Sequence, residues 1–135
     1  MRKIYFLLIL AIFWGCSINP KFYTKPTIKN PELQEKIKEE EGYFVTSFYG
    51  KKFNGRPTAN GETFDMKRMT CAHKSLPFNT RLLLTDPDTN KQVEVRVNDR
   101  GPFVEGRDLD ISRGAAEKIG LVPYGFKKLK YKIIK

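Results

Sequence analysis

Past Gly42 the chain never keeps one apolar rhythm for long. Short stretches of two-residue alternation are cut again and again by Gly, Pro, Asn and Asp. Lys128–Ile134 shows the alternation most plainly. Leu129, Tyr131 and Ile133 fall on one face and Lys128, Lys130 and Lys132 on the other, one oily and one cationic. Tyr43–Tyr49, Arg81–Thr85 and Gln92–Asn98 are the other strand candidates, and Asp86-Pro87-Asp88-Thr89-Asn90 is a strong turn between the last two. One helix is convincing: Ser112 caps it, Ala115, Ala116 and Ile119 give it substance, and Gly120 stops it. Many short strands around one short helix predict a mainly β fold, a small barrel. There is no internal repeat.

The stretch VRVNDRGP at 95–102 carries the first chemical question. Val95 and Val97 share one strand face, Arg96 and Asn98 the other. Gly101-Pro102 then ends the strand, because Pro102 donates no backbone hydrogen bond. Asp99 therefore sits at the lip of a strand, where a rigid sheet can aim a side chain. Taken alone, an Asp before Gly-Pro reads as a turn residue satisfying nearby amides. The rest of the chain changes that reading.

At 135 residues there is room for one domain and short extras, and 40% apolar content suits a globular domain. The net charge of +10 is spread along the chain and favours polyanionic partners such as wall polymers or anionic lipid. Nucleic acid is not expected, since no nucleic-acid motif and no Cys/His zinc spacing occurs. Arg2 and Lys3 precede an apolar run, Ile4 to Trp14, that is shorter than the roughly 20 residues needed to cross a bilayer. A basic start and a short apolar core read as an export signal. Gly15-Cys16-Ser17 behind it resembles a bacterial lipoprotein cleavage site, which would make Cys16 the lipidated N-terminus. Residues 1–15 are thus expected to be a lipoprotein signal peptide, 16–41 a tether and 42–135 the domain. Removing Arg2 and Lys3 leaves 23 basic against 15 acidic residues, a charge of +8.

The tether is rich in Pro, Lys and Asn and predicts a short helix. Asn30 would cap it, Pro31 would be its first residue, Leu33 and Ile37 its apolar stripe, and Gly42 its left-handed stop. Fully extended, Ser17 to Glu41 would reach about 80 Å. Two cysteines give no disulfide framework, and Cys71, among Met69, Thr70 and Ala72, is expected to be a buried structural thiol. One His and one spare Cys are too few for a mixed zinc site, so no metal is expected.

Four stretches between the strands are dense in polar and turn-forming residues: Tyr49-Gly50, GRPTANGETFD at 55–65, TCAHKSLPFNT at 70–80, and VNDRGPFVEGRDLDIS at 97–112. In this order and spacing they resemble the RlpA (rare lipoprotein A) family of bacterial peptidoglycan lytic transglycosylases, over roughly Gly42 to Val122. The resemblance implies a six-stranded double-psi β-barrel with one or two short helices, related to expansin and barwin-like folds, with an open glycan-binding groove. It also implies functional positions at Glu62, His73 and Asp99. Cys71 stands where a small residue such as Ala is usual, and Asn79 where Gly is common. The chain is expected to lack the SPOR repeat domain that many relatives carry. Tyr49, Thr58, Asn60, Asn98, Arg100 and Arg107 are the candidate substrate-binding residues. The expected partner is the peptidoglycan glycan strand, met by a monomer without cofactor. The expected place is the cell envelope, as a periplasm-facing lipoprotein held in the outer membrane through Cys16.

Cleaving a sugar–sugar bond requires a proton for the leaving oxygen and a stabilised oxocarbenium-like transition state. A lytic transglycosylase uses the muramic acid's own C6 hydroxyl as nucleophile, so one carboxyl can act first as acid and then as base. Asp99 is the candidate. An ordinary aspartate, with a pKa of about 3.9, is ionised at neutral pH, so a donor here needs partial burial or a nearby carboxylate. Glu62 is the natural second carboxylate, to raise the first pKa, to stabilise positive charge or to share the proton work. His73 would fix a carboxylate or a substrate group, with proton relay as the other option. Phe48, Phe53, Phe78 and Phe103 are expected in the core ahead of a glycan platform, with Tyr49 evenly balanced. Asp108 and Asp110 are assigned to the turn and the helix start, and Arg56 either to solvent or to wall carboxylates. The rival reading is a non-catalytic, expansin-like wall-binding or wall-loosening module on the same fold.

Overall fold

The computed structural model of the chain describes residues 31–32 and 40–134. Its strands are β1 (Glu41–Phe48), β2 (Thr70–His73), β3 (Arg81–Thr85), β4 (Gln92–Asp99), β5 (Leu109–Ile111) and β6 (Phe126–Ile134). They close in the order β1-β5-β2-β4-β3-β6. β6 returns to β1 antiparallel, from Glu41 opposite Lys132 to Ser47 opposite Phe126. The β1–β5 and β2–β4 pairings are parallel. Closing the sheet on itself removes its edges, the barrel solution that many short strands predict.

Alternation places the core. Leu82 and Leu84 of β3, Val93, Val95 and Val97 of β4 and Leu129 of β6 are buried, while Lys128, Lys130 and Lys132 face solvent. Each such burial contributes about 1.5–3 kcal/mol. β2 and β5 escaped the alternation because their residues are nearly all buried. A strand covered on both faces leaves no period of two to read. Cys71 in β2 is fully buried, and burial pushes its thiol well up, so it is chemically quiet.

The leader, Cys16 and most of the tether lie outside the described residues. Of the expected short helix, Pro31, Glu32 and Glu40 are helical, and 33–39 are outside them too. Gly42 does not stop that helix. It belongs to β1, opposite Tyr131, because pairing with β6 runs back to Glu41. The Tyr131 ring stacks on Phe44 at 3.9 Å, and a Cβ at position 42 would meet it at 3.0 Å. Glycine fits there because an aromatic ring fills the space a side chain would take.

The helix α1 (Arg113–Ile119) forms as its sequence dictates. The Ala115 N–H donates to Ser112 Oγ at 3.2 Å, Gly120 ends the helix with φ 78°, and Ala115, Ala116 and Ile119 are buried. Gly114 has a packing role, since its N–H donates to the Met66 carbonyl at 2.8 Å. A Cβ there would lie 2.8 Å from the Lys67 carbonyl oxygen, a backbone atom with little room to move. Helix propensity favours Ala over Gly by about 1 kcal/mol. Gly114→Ala is nonetheless expected to destabilise the barrel by about 1–3 kcal/mol through overpacking, read from urea unfolding midpoints. A stabilised variant would show that the 66–67 loop yields freely.

Candidate active site

The first wall is a hairpin turn. The Gly61 N–H donates to the Thr58 carbonyl at 3.0 Å, Gly61 takes φ 89°, and the Thr58 N–H donates to the Glu62 carbonyl at 2.7 Å. This is a tight turn followed by a left-handed residue, which a glycine adopts without Cβ strain. Asn60 locks it: its Oδ1 accepts from the Thr58 hydroxyl at 2.6 Å and from the Glu62 N–H at 3.1 Å. Thr58 is buried. Both residues shape the turn.

The second wall is the end of β4. Cys71 pairs with Val97 and Ala72 with Asp99, so Asn98 is one residue too many for its partner strand. Such a bulge breaks the alternation and re-aims the next side chain. Val97 and Asn98 are consecutively buried, and Asp99 then emerges half-buried. The Asn98 carbonyl accepts from the Asn60 N–H at 3.3 Å, and its Nδ2 donates to Glu62 Oε2 at 3.1 Å. The bulge is thereby bolted to the turn. Gly101 continues with φ 124°, a backbone that side chains rarely tolerate.

Asp99 is held from three sides. The Tyr49 hydroxyl donates to Oδ2 at 2.9 Å, while the Ala59 and Arg100 N–H groups donate to Oδ1 at 2.9 and 2.8 Å. Asp99 lines an open groove with Tyr49, Phe53, Phe103, Arg107 and Asp110. Tyr49 packs on Phe64 at 4.7 Å and Phe53 at 5.7 Å. Burial first, then the Asp99 charge, pushes its phenol well up, so it stays protonated.

Glu62 faces elsewhere. Arg96 grips it with both nitrogens, at 2.7 and 2.8 Å, and Asn60 Nδ2 donates to it at 3.0 Å. These bonds, Arg96 first and then Asn98 and Asn60, hold its carboxyl down to about 2. It lines a separate depression with Thr63, Asp65, Arg68 and Arg96. Of the two carboxylates, only Asp99 lines the groove.

His73 lies beside the groove. Its Nδ1 accepts from the Ser75 and Leu76 N–H groups at 3.1 and 2.9 Å, which fixes the following turn, and its ring meets Phe44 at 5.1 Å. Burial lowers its pKa, Asp108 opposes that, and Arg100 and Lys74 add to it. An imidazole accepting at Nδ1 carries its proton on Nε2. The Arg100 guanidinium turns to the same loop, bonding the His73 and Leu76 carbonyls at 3.2 and 2.9 Å and covering Phe78 at 3.9 Å.

Several assignments change. Asp110 belongs to β5, where it is buried, accepts from the Ser47 hydroxyl and from Arg107 at 3.0 Å, and lines the groove. Asp108 extends the strand ladder, accepting from the Val45 N–H at 2.9 Å. Phe103 is not core but 85% exposed, because it sits on a loop, 103–106, that leaves every residue in solvent. Phe48 and Phe78 do pack against the core, and Arg56 lies over Phe53 at 5.7 Å. Sequence reasoning missed Arg96, whose partner is 34 residues away, and the Ala59 main-chain donor. Another depression, lined by Glu41, Thr85, Gln92, Lys130 and Lys132, touches none of the four motif stretches. Among the described residues no three His, Cys, Asp or Glu side chains converge on a metal position.

Fold and groove define a double-psi β-barrel with a carboxylate at the mouth of an open cleft. The family model for lytic transglycolase matches residues 43–131. The chain belongs to that family. It is 47% identical over 100 residues to the endolytic peptidoglycan transglycosylase RlpA of Pasteurella multocida, covering 72% of this chain and 34% of that protein. The Pseudomonas aeruginosa protein of the same name is 50% identical over 86 residues, covering 64% and 25%. The chain thus spans about a third or less of the length of these curated relatives. In structure it resembles the Streptomyces papain inhibitor (TM-score 0.57, 15% identity, 71% of this chain and 96% of that one). It also resembles a Clavibacter michiganensis expansin (TM-score 0.56, 22% identity, 70% and 50%). These two show the fold.

Glu62 generates a prediction about pH. Its folded-state pKa is depressed from 4.5 to about 2, so its contribution to stability is complete above about pH 4.5 and fades as pH falls toward 2. Because the Glu62 side chain is 39% exposed, screening keeps that contribution within about 1 kcal/mol. Arg96→Gln should return the Glu62 carboxyl toward the ordinary carboxylate range in an NMR titration. An unchanged midpoint would mean that Arg96 does not hold it.

Proposed function

We propose that this chain is a peptidoglycan lytic transglycosylase, cleaving the bond between N-acetylmuramic acid and N-acetylglucosamine and leaving 1,6-anhydro ends. The observation that carries the reading is Asp99, fixed at the mouth of an aromatic-walled groove in a chain of this family. Asp99 gives a proton to the bridging oxygen as the bond from C1 to that oxygen breaks. The C6 hydroxyl of the same muramic acid then bonds to C1, and the Asp99 carboxylate takes its proton. No water enters, and the acid is regenerated.

The two oxygens of Asp99 are suited to different work. Oδ1 faces two backbone N–H groups, which can only donate. Oδ2 faces a hydroxyl that can donate to a carboxylate or accept from a carboxylic acid. The travelling proton therefore belongs on Oδ2, with Tyr49 tracking its arrival and departure. Glu62, ionised and tied to Arg96, Asn98 and Asn60, is a positioning residue that stiffens the turn presenting the Ala59 N–H. His73 and Arg100 do the same for the 73–76 loop. Arg107, braced by Asp110, offers charge-assisted bonds to substrate carboxylates.

The basic, apolar leader and Gly15-Cys16-Ser17 support export and a lipid anchor at Cys16, with residues 16–41 as tether to a domain from 42 onward. On that reading the protein is a monomer on the periplasmic side of the cell envelope, anchored in the outer membrane, and serves wall remodelling or daughter-cell separation.

Purified protein should release 1,6-anhydromuramyl fragments from sacculi, identified by mass, and Asp99→Asn should abolish the release. Glu62→Gln should lower turnover by up to about a hundredfold without abolishing it, the cost of sub-ångström to ångström misplacement of the reacting groups. Ordinary reducing ends would make the protein a hydrolase. Binding to sacculi with no soluble product would make it the wall-binding module instead.

A further inference from the structure

Phe103 is the most exposed of the large apolar side chains among the described residues, at 85%, yet it lines the same groove as Asp99. Its neighbours Gly101 and Pro102 are buried, so the loop that bears it leaves the barrel from a fixed base. The ring backs onto Gly101, where a Cβ would come within 3.6 Å of Phe103 Cε2, and the φ of 124° keeps that position to glycine. Tyr49, Phe53 and Phe78 each have a ring or cation partner. Among the described residues Phe103 has none.

A pyranose ring has the matching surface: an apolar face of C–H bonds and a rim of hydroxyls. An aromatic ring receives the first, and Arg107 and Asp110 in the same groove can bond the second. Phe103 lies four positions after Asp99, a Cα–Cα span of at most about 14 Å. A sugar lying on Phe103 is therefore a near neighbour of the one whose bond Asp99 protonates. We propose that Phe103 is a stacking platform for the glycan ring beside the scissile bond, setting affinity and register without touching the proton transfer. This rests on the glycan reading of the groove given above.

The test uses soluble glycan strands freed of stem peptides. Phe103→Ala should raise KM about tenfold at unchanged kcat and unchanged melting temperature. Phe103→Tyr and Phe103→Trp should restore the parent KM, and Phe103→Leu should not. The only tryptophan in the chain is Trp14. Phe103→Trp in a Trp14→Phe background therefore reports on this position alone, and its emission should shift on saturation with a muramic acid–glucosamine tetrasaccharide. An unchanged KM in Phe103→Ala, full rescue by Leu, or a silent tryptophan would overturn the platform. If the tryptophan responds but no anhydro product forms, the platform stands and the transglycosylase reading falls. If product forms with the parent KM in Phe103→Ala, the reverse holds.

Discussion

The first and last strands of the barrel hold each other, and nearly everything else depends on that. β1 pairs with β6 over seven residues on one side and with β5 on the other. Tyr49 comes directly after β1, and its N–H donates to the Ile111 carbonyl at 3.0 Å, so its hydroxyl reaches Asp99 only while that closure stands. The two residues are 50 positions apart in sequence. Bringing them within hydrogen-bond distance costs loop entropy that neither could offset alone, and the shared core offsets it.

Two carboxylates from neighbouring motifs end in opposite electrical settings. Glu62 meets a guanidinium and two side-chain amides, which fix its charge. Asp99 meets two main-chain donors and one hydroxyl that can serve in either direction. Their different settings, which the proposed mechanism uses as strut and proton carrier, arise from a bulge of one residue, Asn98, joined to a five-residue turn.

Much of this was legible beforehand. β4 and β6 declare themselves by alternation, β1 and β3 as short strand-like runs between turn residues, and α1 by Ser112, its alanines and Gly120. β2 and β5 do not, because strands buried on both faces carry no period. The resemblance singles out Glu62, His73 and Asp99 as residues, but the different surroundings of each depend on contacts across tens of residues. Arg96 looked like the solvent phase of a strand. Asp110 looked like a helix start because its strand is only three residues long. Phe103 was expected inside on apolarity alone, and a loop geometry that no composition encodes put it outside.

The Ala59 contact sets what position 59 has to supply. Asp99 is steadied there by a peptide N–H, and the methyl group of Ala59 is exposed and takes no part. The donation therefore needs only a backbone N–H at position 59, which every residue except proline supplies. One of the three bonds that hold the carboxylate thus originates in a peptide group and not in the identity of a side chain.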